Sequence, residues 1–220
     1  MAAICVTPIK GTHLRITKLD SCGTVVTGTG AMCVVTKGFV QVQMEPQYED
    51  GQEYFERTAD GDACVNQKDD PVLKRMQLTV ELCEIDPVAA AFVMNARALL
   101  VSTDTMGWAA TEGTSSNRFS LEVWQRVAGA GACATGGPRY IYNAWPNCGS
   151  TKIGTYTIEN GRSALQFITE TRAGNTAWGD GPGATDWLPA GAAVAAADHW
   201  LWGITTTALP TALCGTSAPA

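Results

Sequence analysis

The sequence predicts a mainly-β protein with one packed helix. Several segments alternate apolar and polar residues with period two, which is typical of half-buried strands. Glycine is frequent (23 residues) and breaks the chain between these segments, and only one run of helix formers follows a helix-start signal. Hydrophobic residues make up 45% and charged residues 16%, enough apolar material for a core. We expect a single domain over 1–220, with its core at about 8–207 and a flexible tail at 211–220.

Eight segments are predicted to be strands, and 73–84 shows the clearest pattern. There Met76, Leu78, Val80 and Leu82 share one face, and Arg75, Gln77, Thr79 and Glu81 share the other. In 39–44, Gln41 and Gln43 form the polar face. The remaining predicted strands are 12–19, 119–127, 139–145, 152–158, 164–171 and 200–207. A turn is predicted at 20–23, and Gly-rich breaks at 129–137 and 173–184.

The helix is predicted to span about 87–100. Asp86 is a favourable N-cap, and Pro87 at the first helical position loses no hydrogen bond that the helix needs. The run VAAAFVMNARALL is rich in helix formers and apolar on most sides, so the helix should pack onto a sheet.

Charge and motifs exclude several function classes. The net charge of −6 disfavours a nucleic-acid-gripping protein, which needs clustered Lys and Arg. Apolar runs long enough to span a membrane and a signal-peptide pattern are absent, so synthesis in a cytosol is expected. The sequence lacks GxSxG, P-loop, HExxH and CxxC motifs, and His13 and His199 have no nucleophile nearby in sequence. We therefore expect no enzyme activity, no metal and no cofactor. The eight cysteines leave the disulfide state open.

Seven tryptophans raise an alternative function, a carbohydrate- or surface-binding β-sandwich. Exposed tryptophans such as Trp178 or Trp187 would stack on sugars. The competing interpretation is that the strand residues Trp124, Trp145, Trp200 and Trp202 pack sheets or interfaces, where a large side chain buries most area.

The segment 45–71 is acidic and long. It holds nine acids and two bases, a net charge of −7, so the rest of the chain sums to +1. Asp60-Gly-Asp62 resembles part of a calcium loop, but the full DxDxDG pattern with its distant Glu is absent. A purely solvated loop is a second interpretation. Tyr48, Tyr54 and Phe55 among the charges favour a third, a loop that docks on another subunit.

Particular phrases resemble a known family. PIKGTHLRITKLDSCG at 8–23 is followed by YEDGQEY, by DACVN at 62–66, and by LKRMQLTVELCEIDP running into the helix. These phrases and their order resemble the major tail protein, the tail-tube subunit, of long-tailed bacteriophages that infect actinobacteria. The resemblance is strongest over 8–100, and further on includes WPN at 145–147 followed by a strand.

The resemblance implies a β-sandwich or half-barrel with one flanking helix and a long acidic loop at 45–71. It implies homohexameric rings that stack into a virion tail tube, assembled in the host cytoplasm, through which double-stranded DNA passes without specific binding. Further implied partners are the tape-measure protein and the tail-terminator and tail-tip proteins, with no membrane insertion. The loop residues expected to contact another subunit are Tyr48, Glu49, Asp50, Glu53, Tyr54, Phe55, Arg57, Asp60 and Asp62. The residues expected to face the lumen are Gln41, Gln43, Arg75, Gln77, Thr79 and Glu81.

Overall fold

The computed structural model describes residues 6–28, 30–84, 86–102, 104–112, 116–128, 139–160, 162–173, 175–178, 194–206 and 208–211. The Gly-rich break at 129–137, most of that at 173–184, Trp187 and the predicted tail beyond residue 211 lie outside these ranges. Mainly-β character is confirmed. The strands are β1 (Pro8–Leu19), β2 (Cys33–Thr36), β3 (Phe39–Glu49), β4 (Glu53–Arg57), β5 (Ala63–Lys68), β6 (Val72–Leu82), β7 (Arg97–Val101), β8 (Asp104–Ala109), β9 (Arg118–Val127), β10 (Tyr140–Glu159), β11 (Arg162–Thr171) and β12 (Leu201–Thr205); the helix is α1 (Pro87–Val93), and a 3-10 turn covers Thr176–Trp178.

Seven strands form one antiparallel path in the order β2-β1-β9-β10-β11-β6-β3, and β12 pairs with the start of β10. The two edge strands of this path, β2 and β3, are consecutive in the chain and joined only by Lys37 and Gly38. The sheet must therefore curl until the end of β2 comes close to the start of β3. A Cβ on Gly38 would collide with Glu84, and one on Gly11 would lie 2.5 Å from the Phe39 ring, so glycine permits the close approach at this seam.

The main core fills the inside of the curl. Fully or nearly fully buried residues from six strands and the helix meet there: Leu14, Ile16, Val34, Leu78, Val80, Val93, Phe119, Leu121, Trp145, Leu165 and Phe167. A second apolar cluster lies on the opposite face of β9 and β10 around Trp124, Tyr142, Trp178 and Val194. The alternation predicted for 73–84 is confirmed, because Leu78 and Val80 have no exposed surface.

The predicted helix boundary at about residue 100 is wrong, because α1 ends at Val93. Its start is as expected: the Asp86 carboxylate accepts from the N–H groups of Val88 (2.8 Å) and Ala89 (3.1 Å). At the other end Asn95 adopts a left-handed φ of 51°. The N–H of Ala96 donates to Ala91 O and that of Asn95 to Phe92 O, which is the Schellman arrangement that terminates helices. Residues 97–101 then form β7, paired with β8.

Two other predictions need correction. The strands predicted at 139–145 and 152–158 are one 20-residue strand, β10. The intervening WPNCGS forms an irregularity between Trp145 and Cys148 in the pairing with β9, and does not reverse the chain. Strands β2, β4, β5, β7 and β8 were not predicted. The turn predicted at 20–23 is confirmed, since the Asp20 carboxylate accepts from the N–H groups of Cys22 and Thr24.

Candidate functional site

The segment 45–71 is largely β-structure, which corrects the expectation of a long loop. Its first residues, including Tyr48 and Glu49, complete β3 and pair with β6. Strands β4 and β5 then form a hairpin. The hairpin and the residues on either side of it (residues 50–71) are called the arm. The N–H of Asp69 donates to Gln52 O at the base of the arm (3.0 Å). The tip is a turn in which the Thr58 N–H donates to Asp62 O (2.8 Å) and Gly61 has a φ of 90°.

The arm extends away from the core, and among the described strands β4 and β5 pair only with each other. Glu53, Tyr54, Phe55 and Arg57 lie on β4, Asp60 and Asp62 in the tip turn, and Asp50 in the bend before β4. The side chains of Tyr48, Tyr54, Phe55 and Val65 remain 37–61% exposed. The Arg57 guanidinium lies over the Phe55 ring at 5.1 Å, which is a contact within the arm. Seven of the nine residues predicted to contact another subunit are thus displayed on the arm, whereas Tyr48 and Glu49 lie at the end of β3 and pair with β6.

The residues predicted to face a lumen are brought together on the sheet face opposite the core. Gln41 is paired with Glu81 and Gln43 with Thr79 across β3 and β6. All six predicted residues are exposed or partly exposed, whereas the alternating β6 residues Leu78 and Val80 are fully buried. The strand β11 continues the same face through Gln166 and Glu170.

Side-chain hydrogen bonds connect the polar face. The Arg75 guanidinium donates to Gln47 Oε1 (2.8 Å) and to Glu170 Oε2 (3.0 Å), and Gln47 Nε2 donates to Gln77 Oε1 (2.9 Å). With Glu45, Glu81 and Lys152 also on this face, its described side chains include three acids and two bases, a net charge of −1. It is therefore a hydrated, amide-rich surface of nearly neutral charge.

The strands on either side of this polar face have free edges. Within the part of the chain that the structure describes, strand β3 pairs with β6 alone. Beyond Cys148, β10 pairs with β11 alone among the described strands. The free part of β10 also exposes the apolar side chains of Ile153 (41%), Tyr156 (49%) and Ile158 (75%). A long apolar strand with an unpaired edge is a template for pairing with another chain.

The described residues offer no metal cluster, since no group of three or more His, Cys, Asp or Glu side chains is arranged to hold an ion. Both histidines are mostly buried, and burial lowers the pKa of each, with the Lys37 charge adding to the effect at His13. His199 Nδ1 lies 2.9 Å from Thr171 Oγ1. Cys22, Cys64, Cys83 and Cys148 are free thiols. None of the described helices is long and apolar enough to cross a membrane.

Most of the described tryptophans are buried or partly buried in the fold. Trp124, Trp145 and Trp178 are at most 4% exposed, so Trp178 was wrongly expected to be an exposed sugar-stacking residue. Trp202 is 52% exposed on β12. A single exposed indole on a short strand provides no extended aromatic platform within the described residues.

Sequence reasoning missed a buried charged cluster on the second face of β1, β9 and β10. Arg15 Nε and Nη2 donate to the two Glu122 carboxylate oxygens at 2.6 and 2.7 Å, and Tyr142 Oη donates to Glu122 Oε1 at 2.6 Å. The Arg15 guanidinium also lies 5.3 Å from the Trp124 ring centroid. Burial, reinforced by the Glu122 charge, raises the pKa of Tyr142. The sequence did contain a signal for this cluster, because a charged residue lies mid-strand in each of the predicted strands 12–19 and 119–127.

No family model matches this chain, and a search of curated proteins finds no match. The geometry of the polar face, the free edges and the arm therefore carries the functional argument.

Proposed function

We propose that this chain is a structural subunit that joins side by side into hexameric rings, which stack into the tail tube of a long-tailed bacteriophage. One observation carries the proposal: strands β3, β6, β11 and the second half of β10 form a four-stranded sheet that is polar on one face and packs on the core through β6 and β11 on the other. Among the described strands, nothing pairs with its two outer edges. Such a sheet is suited to become one segment of a closed wall, because closure removes every edge.

The strand directions allow the two edges to meet. Successive strands in β10-β11-β6-β3 are antiparallel, so β3 runs opposite to β10. If a second copy is placed beside the first in the same orientation, its β3 lies antiparallel to the free part of β10. The joined wall is then antiparallel throughout, with each polar face on the same side and each helix α1 on the other.

The size of such a wall suits a DNA conduit. Six copies supply about 24 strands, which at about 4.8 Å spacing close into a barrel of about 37 Å diameter without tilt, or about 48 Å at a strand tilt of about 40°. Side chains take about 5 Å on each side, which leaves a bore wider than a DNA duplex. The net charge of −1 per polar face offers no basic surface to hold phosphates, so DNA would pass without being gripped.

Imaging tests this proposal. Purified protein should form rings or tubes in negative stain. The variant Ile153→Lys, which adds a charge at the free edge of β10, should keep the far-ultraviolet circular dichroism spectrum but lose the rings. Thr27→Lys adds the same charge at an exposed position between β1 and β2 and should assemble normally. A wild-type protein that stays monomeric at all concentrations would refute the proposed function.

A further inference from the structure

We infer that the arm of one copy docks on a basic site of the neighbouring copy in the same ring, formed by Lys10 on β1 and Arg126 on β9. This inference rests on the proposed function, because it needs copies placed side by side. It specifies the acceptor for the arm, and it makes the contact a sideways one rather than a contact between stacked rings.

The basic site is an unusual pairing within the sheet. Lys10 and Arg126 are cross-strand neighbours in the pairing of β1 with β9, and both are exposed. Like charges directly opposite each other destabilise a strand pair. The adjoining strand ends, residues 6–11, 124–128 and 139–142, contain no Asp or Glu but add Arg139. The ion pairs between described residues, Arg15–Glu122, Lys74–Glu49 and Arg75–Glu170, involve neither Lys10 nor Arg126. An external carboxylate would relieve the repulsion.

The arm supplies carboxylates of the opposite charge. Glu56, Asp60 and Asp62 lie on or near its tip, are exposed, and take part in none of those ion pairs. Glu56 is paired across the hairpin with Val65, and Tyr54 shares that face. The tip therefore presents carboxylates next to exposed apolar surface, which combines charge selection with area to bury.

Strand registers bring the two surfaces together in a ring. Tyr140, at the start of β10, is paired with Arg126, so the basic site lies at the end of the sheet where β10 begins. Strand β9 pairs along β10 on the same side as the free edge that begins after Cys148. A neighbouring β3 placed along that free edge runs antiparallel to β10, toward the end where β10 begins. Continued in that direction, the neighbour's arm would run along β9 from Phe119, which is paired with Cys148, toward Arg126 and its partner Lys10.

Charge reversal tests the contact. One variant set reverses the basic site (Lys10→Glu with Arg126→Glu), and the other reverses the tip (Glu56→Lys with Asp60→Lys). Each set alone should lower the apparent ring association constant at least about tenfold, because attraction becomes repulsion. Sedimentation velocity gives the ring fraction at each concentration. The control pair Arg97→Glu with Arg172→Glu makes the same charge change at exposed positions on β7 and after β11, and should assemble like the wild type.

Mixing the two variant sets separates a lost contact from a lost fold. The site variant keeps an acidic tip, which matches the basic site of the tip variant, and the basic tip of the tip variant matches the acidic site of the site variant. An equimolar mixture should therefore form rings in which the two variants alternate, although neither variant forms rings alone. Restored rings in the mixture support the inference. Wild-type rings that are unaffected by either reversal, or reversals that the mixture does not rescue, overturn the inference and leave the proposed function standing. Failure of the wild type to form rings overturns both.

Discussion

Removing one member of the buried Arg15–Glu122 pair should be far more damaging than removing both. Glu122 has no exposed surface and Arg15 is 5% exposed, so either charge left alone would be buried without its counter-ion. Breaking such a pair costs about 3–5 kcal/mol, whereas replacing both charges by apolar residues of similar volume is often close to neutral. We therefore expect Glu122→Leu and Arg15→Met each to lower the free energy of unfolding by about 3–5 kcal/mol.

The double variant Arg15→Met with Glu122→Leu should recover most of this loss. Tyr142 Oη then loses its acceptor, at a cost of about 1–3 kcal/mol, which adding Tyr142→Phe should largely remove. Urea unfolding followed by tryptophan fluorescence measures each step. With a slope of about 2–3 kcal/mol per molar urea, each single variant should shift the midpoint down by about 1–2.5 M. The reasoning is refuted if the single variants cost less than about 1 kcal/mol, or if the double variant costs the sum of the two.

Three further predictions concern other parts of the fold. Because burial lowers the pKa of His13 and His199, the unfolded chain binds protons at these residues more readily, and stability should fall as the pH drops below about 6.5. Between about pH 7.5 and 5.5, the urea midpoint of the double variant His13→Gln with His199→Gln should therefore change less than that of the wild type, and an equal change would contradict this. A Cβ at Gly51 would collide with the Asp69 carbonyl, so Gly51→Ala should destabilise the base of the arm by about 1–3 kcal/mol. Hydrogen exchange at the Asp69 amide should become faster while the core strands stay protected, and unchanged exchange at Asp69 would argue against the collision. Iodoacetamide at pH 8 should label the exposed Cys22, Cys64 and Cys83 in the native protein and reach the buried Cys33 and Cys148 only in urea, as read by peptide mass spectrometry; native labelling of Cys148 would show that its site opens.

Period-two patterns predicted most strands of the large sheet from the sequence. The end of the helix and the strands β7 and β8 that follow it were not predicted correctly. VMNARALL has good helix propensity throughout, so residues 97–100 were assigned to the helix. The stop signal was Asn95, a residue type that tolerates the left-handed conformation, and tertiary context decided that it would be used. The pairing of β7 with β8 could not be predicted, because exposed apolar strands lack the alternation that marks a half-buried strand.

The arm illustrates a different limit. Asp60-Gly61 between Tyr54-Phe55 and Val65 is a hairpin signal that charge density obscured. The polar faces of β3 and β6 were predicted correctly because alternation fixes side-chain direction. The register that pairs Gln41 with Glu81 was not predictable, and neither was the meeting of Lys10 with Arg126, since each depends on a partner strand tens of residues away.

Strand β10 has a mechanical consequence. Its first residues belong to the layer with β9 and β12, and its last residues belong to the polar-faced sheet with β11. A load applied to one region therefore passes to the other along a covalent backbone, without relying on a loop or a side-chain contact. Bending between the two regions would have to break backbone hydrogen bonds on both sides of the irregularity at Trp145–Cys148. The described part of the two sheet regions should thus respond to tension as one stiff body, while the arm and the β7–β8 hairpin, which pair with no other described strand, should be more compliant.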